Sequence, residues 1–111
     1  ISARRRQAWG ETRIHDINLN IHYTIPDHLW EKIGRVYASM PYWTGEQKAP
    51  CWKGENVDLT ASVEPGGIQI YGEMPEGIWE NWYSELKEKL TSVLGYEIGE
   101  PEDGYDFKYF D

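Results

Sequence analysis

The stretch HDINLNIHYTI, residues 15–25, decides the reading of the fold: Ile17, Leu19, Ile21, Tyr23 and Ile25 alternate with Asp16, Asn18, Asn20, His22 and Thr24. Successive side chains of a strand point to opposite faces, so this alternation predicts a strand with one face buried and one face wet. Pro26 ends it. Asp27 then stands where a helix cap is expected, and Leu29, Ile33, Val36 and Met40 follow at spacings that share one helical face, with Trp30 and Tyr37 beside them. Pro41 stops that helix.

Working outward, Tyr42 to Asn56 shows no period and is long for a connection. Beyond it, Val57, Leu59, Ala61 and Val63 alternate with Asp58, Thr60 and Ser62. Pro65-Gly66-Gly67 makes a turn, and Ile68, Ile70 and Gly72 return against Gln69 and Tyr71, which completes a hairpin. Pro75 suits the first turn of a second helix of about eighteen residues. Ile78, Trp79, Trp82, Leu86, Leu90 and Val93 form its apolar stripe, and Gly95 is placed for a left-handed cap. Tyr96 to Ile98 reads as a short strand and Glu100 to Gly104 as an acidic turn. Tyr105, Phe107 and Tyr109 then form a last strand or an aromatic strap. The class is α+β. The order β-α-β-β-α-β predicts a ferredoxin-like split βαβ fold, an antiparallel sheet with both helices on one face. A meandering antiparallel sheet with the same helices packed differently is the alternative.

At 111 residues, 40% of them apolar and 14% aromatic, the chain is long and apolar enough to build one core by itself. Its single cysteine, Cys51, has no internal partner for a disulfide, which fits a reducing, cytoplasmic compartment. No apolar run is long enough to span a membrane. The net charge is −8, yet Arg4, Arg5, Arg6 and Arg13 cluster at the start against Glu11 alone, which leaves seven basic residues against eighteen acidic ones from Ile14 onward. Residues 1–13 therefore read as a basic tail or tag-like segment, and 14–111 as a single acidic domain. Such a field repels phosphate backbones, so nucleic acid is not expected on the domain body, and it attracts a basic protein.

The wet face of the sheet is the first candidate site. Asp16, Asn18, His22, Asp58, Thr60, Glu64, Tyr71 and Glu97, with Asn20, Ser62 and Gln69, are expected to form an acidic plate suited to docking a basic protein. The plainer alternative is an ordinary solvated face. The second candidate is an aromatic cleft from Trp30, Tyr42, Trp43 and Trp52 for a flat or cationic small molecule, with Glu46 or Glu55 supplying charge. Its alternative is that the tryptophans plug the end of the core.

Catalysis, metal and cofactor have no motif behind them. His15 and His22 lie on opposite faces of the predicted strand, His28 has no His or Cys at ligand spacing, and Cys51 is expected as a small buried thiol. The acidic run around Gly104 lacks calcium-loop spacing. Enzymatic use of pocket carboxylates is the third reading. An uncovered strand edge or the aromatic C-terminal segment offers a route to a homodimer.

Three stretches, Pro41-Tyr42-Trp43, Pro50-Cys51-Trp52 and Gly99–Phe110, give the chain a texture that resembles small acidic proteins of bacterial mobile elements, of the integron gene cassette and toxin-immunity type. The immunity resemblance implies binding of a basic toxin through an acidic surface and transfers no catalytic residue.

Overall fold

A computed structural model of the chain describes residues 10–46 and 48–110. The elements are β1 (Thr12–Leu19), α1 (Asp27–Ser39), β2 (Trp43–Glu46), β3 (Pro50–Gly54), β4 (Val57–Glu64), β5 (Gly67–Pro75), α2 (Glu76–Leu94) and a 3-10 turn at Pro101–Asp103. All five strands form one sheet in the order β1-β5-β4-β3-β2, and every neighbouring pair is antiparallel. The α+β class holds. The split βαβ order does not, because β2 to β5 meander and β1 adds to the free edge of β5; the alternative sheet is the one observed.

The difference originates in residues 42–56, read above as a connection without period. The described residues among them form β2, β3 and the tight β3–β4 corner. Each strand spans only 4–5 residues, too short to display an alternation, and a register shift between Trp43 and Gly45 breaks the period. Tyr42 sits at the left-handed φ of 75° with its ring against Gly54, where a Cβ would stand only 2.7 Å from the ring edge. Asn56, at φ 60°, closes the β3–β4 corner with the tolerance for that region that asparagine has.

β1 starts three residues earlier and ends six residues earlier than the alternation predicts, so Thr12 and Arg13 belong to the sheet rather than to the basic tail. Arg13 pairs with Glu11 and Glu76. Arg4, Arg5 and Arg6 lie outside the described residues. The strand stops because Asn20, fully buried, turns to bind the C-terminal segment. Asp27 lies in the first turn of α1, after Pro26, and does not cap it. Gly95 takes φ 80° at the end of α2, as its position predicts. After α2 the short strand expected at 96–98 does not form, and 105–109, read above as a last strand or an aromatic strap, forms no strand. The segment is a strap instead, held by Asn20 and by the Tyr96 hydroxyl, which donates to the Asn20 carbonyl at 2.8 Å.

Both helices cover one face of the sheet. Leu29, Ile33 and Val36 of α1 and Trp82, Leu86 and Leu90 of α2 join Leu19, Leu59, Ala61, Ile68, Ile70 and Met74 in one core. A column of rings crosses it. His15 stacks on Trp79 at 4.1 Å, Trp79 on Trp82 at 5.9 Å, and Trp82 meets Trp52 edge-on at 5.2 Å. The Trp52 indole N–H donates to the Tyr37 carbonyl at 3.1 Å, and that of Trp82 to the Pro41 carbonyl at 3.0 Å, so these buried polar edges are satisfied.

Candidate functional site

The face of the sheet turned away from the helices is uncovered among the described residues, and strand pairing arranges it in rows. Residues directly opposite across an antiparallel pair share a face. One row runs Asn18, Gln69, Ser62; the next Asp16, Tyr71, Thr60, Cys51; the third Ile14, Glu73, Asp58, Lys53. The first two rows are tied together: Gln69 Nε2 donates to Asp16 Oδ1 at 2.7 Å, and the Ser62 hydroxyl reaches Gln69 Oε1 at 3.5 Å. Tyr71 and Ile14 stand out of this polar field, 47% and 63% exposed.

The third row sets two carboxylates, Asp58 and Glu73, directly across from each other. Like charges in that position destabilise a sheet. Lys53 flanks Asp58 on the other side, yet none of the ion pairs among the described residues lies on this face. Glu64 adds a further acid at the β4–β5 tip, opposite Gly67. The face thus combines Asp16, Asp58, Glu64 and Glu73 with one lysine and two exposed apolar or aromatic anchors.

Of the residues predicted for this plate, Asp16, Asn18, Asp58, Thr60 and Tyr71 lie together on it, and Glu64 borders it. His22 and Glu97 do not. His22 follows the end of β1, with Tyr23 stacked on it at 4.3 Å and Tyr109 packed against its edge at 4.9 Å; the Thr24 N–H donates to its Nδ1. Glu97 lies in the strap, where its carbonyl accepts from Asn20 Nδ2. Asn20 is buried and serves the strap as well. Glu73 and Ile14 were legible as continuations of the alternations of β5 and β1, but Lys53 and Cys51 were hidden in the stretch without period. Cys51 is half-buried on this open face rather than in the core, its thiol donating to the Ala49 carbonyl at 3.1 Å.

The aromatic cleft does not assemble as predicted. Trp52 is completely buried, Trp43 packs against it at 5.6 Å, and Tyr42 covers Gly54. They plug the core. A separate cavity of about 420 Å³ opens between α1 and the β2–β3 corner, lined by Trp30, Ile33 and Tyr37 of α1, by Glu46 and Lys48, and by Ala61 of β4. Of the four predicted cleft residues, Trp30 alone lines it. Burial, and then the nearby Glu46 carboxylate, raise the pKa of the Tyr37 hydroxyl, which therefore stays protonated.

Among the described residues no group of three His, Cys, Asp or Glu side chains is close enough to hold a metal ion. No helix among them is long and apolar enough to cross a membrane. Fold and surface together define a five-stranded antiparallel α+β domain with a two-helix cover and an open acidic face. No family model matches the chain, and neither a curated protein nor a solved structure matches it.

Proposed function

We propose that the chain is a protein-binding domain whose open sheet face docks on a basic partner, in the manner of an immunity-type inhibitor. The observation that carries this reading is the Asp58–Glu73 pair. A like-charge cross-strand pair weakens the isolated sheet, and a guanidinium or ammonium group placed between the carboxylates turns that cost into an attraction. Tyr71 and Ile14 border the pair and supply the apolar contact that anchors an interface, while the surrounding acids speed encounter with a positive surface. The resemblance of the chain to small acidic proteins of mobile elements supports the same reading.

The test is affinity capture from the host's lysate at low and at moderate salt, run in parallel with the wild-type chain and the double variant Asp58→Lys, Glu73→Lys. The expected result is a basic protein held by the wild type, released by moderate salt and absent from the variant. Equal capture by both chains overturns the reading.

A further inference from the structure

Gly34 sits in the interior of α1, where a glycine costs about 1 kcal/mol relative to alanine. Nothing among the described residues requires it, because a Cβ built there meets none of their atoms within 4 Å. The space left open beside Gly34 belongs to the cavity between α1 and the β2–β3 corner, whose volume of about 420 Å³ lies within the range of small-molecule sites. Its walls differ in character. Ile33 and Ala61, both buried, make an apolar floor, while Trp30 and Tyr37 present aromatic surface and Glu46 stands at the margin. None of the hydrogen bonds among the described residues uses the Tyr37 hydroxyl, and since no fully buried side-chain polar atom among them lacks a partner, that oxygen keeps some exposure.

We propose that this cavity is a binding site for a small organic amine with an apolar body. The body lies on Ile33 and Ala61 in the room that Gly34 leaves, and the ammonium is held by Glu46 and by the aromatic surfaces of Trp30 and Tyr37. A carboxylate beside aromatic walls recognises an organic cation, since ring faces attract positive charge. The Tyr37 hydroxyl offers an oxygen acceptor to the same group. Lys48, also on the margin, is exposed and carries its charge on a flexible stem that can stay in water. The net charge of −8 further favours a cation over an anion. The site lies on the helix-covered side of the sheet and, among the described residues, shares only Ser62 with the open face.

The experiment is titration of the chain with phenethylamine, followed by amide-resolved NMR, with hydrocinnamate as a probe of the same body and opposite charge. The expected result is that phenethylamine shifts the amides of Ile33, Gly34 and Ala61, and that hydrocinnamate binds more weakly. Gly34→Leu fills the space and abolishes the shifts while its melting temperature stays at or above that of the wild type, so loss of binding is separable from loss of fold. Glu46→Gln weakens phenethylamine binding about two- to fivefold, the scale of a solvent-exposed ion pair. The proposal is overturned if hydrocinnamate binds as well as the amine, if the shifts persist in a folded Gly34→Leu, or if phenethylamine produces none.

Discussion

Asn20 and Gly99 bind each other twice: the Asn20 N–H donates to the Gly99 carbonyl at 3.0 Å, and the Gly99 N–H donates to Asn20 Oδ1 at 2.8 Å. The Asn20 side-chain nitrogen spends both of its hydrogens on the carbonyls of Glu97 and Asp106, at 2.9 and 2.7 Å. One fully buried amide thereby joins the end of β1 to both ends of the strap.

Asn20→Asp keeps the shape and removes both donors, leaving a buried carboxylate against two carbonyl oxygens. The expected cost is about 3 kcal/mol or more, since two carbonyls lose their donor and a charge is buried with the Gly99 N–H as its one remaining partner on the strap. Urea unfolding measures it, and amide exchange at Gly99 should rise with it. A loss below about 1 kcal/mol, within the net worth of one ordinary hydrogen bond, would show that the strap is anchored elsewhere.

Relieving the Asp58–Glu73 repulsion should stabilise the free domain while harming the proposed docking on a basic partner. Glu73→Lys places opposite charges across β4 and β5 and should add about 0.2–1 kcal/mol. The same variant should lose salt-sensitive capture of a basic protein. A melting temperature below that of the wild type would argue that Glu73 serves the fold.

Two glycines should respond with opposite signs. At Gly67, φ 120° and the carbonyl of Leu19 leave no room for a Cβ, so Gly67→Ala should destabilise by at least about 1–3 kcal/mol. At Gly34 the space is open and the backbone helical, so Gly34→Ala should stabilise by about 0.5–1 kcal/mol. Thermal unfolding of both variants decides the point.

Three tyrosines should make the fold sensitive to alkali. Burial pushes Tyr96 up to about 12. Burial and then Glu46 raise Tyr37; burial and then Glu100, whose Oε2 accepts from the Tyr83 hydroxyl at 3.0 Å, raise Tyr83. In the unfolded chain tyrosine ionises near pH 10, so above that pH the unfolded state has lost protons that the native state still holds. Stability is therefore full below about pH 10 and falls as pH rises, with the Tyr96 share lost between about pH 10 and 12. Tyrosinate absorbance and circular dichroism followed together should show Tyr37 and Tyr83 ionising only as the fold is lost. Ionisation of all tyrosines in a chain with native dichroism would contradict this.

Where the sequence was legible, it was so because each signal repeats. Ile17 and Leu19, Leu59 and Ala61, and Ile68 and Ile70 alternate with polar neighbours, so their shared inner face and the plate of Asp16, Asp58 and Tyr71 behind it followed without coordinates. The stripe from Trp79 to Leu90 likewise placed α2. Alternation alone was misleading past Leu19, because Asn20 occupies a wet position in the pattern yet is buried by partners 77 to 86 residues away.

Local periodicity thus determined the two helices, the central parts of β1, β4 and β5 and which side of those strands is apolar, since those properties depend on neighbours within a few positions. Tertiary structure decided the rest. It set β1 beside β5, built β2 and β3 from a stretch too short to show a period, and drew Trp43 and Trp52 into the core. It also put Glu73 across from Asp58 and left a cavity beside Gly34. Each of these outcomes depends on pairing and packing between segments far apart in the chain, where a hydrogen-bond ladder or a filled volume settles a choice that local pattern leaves open.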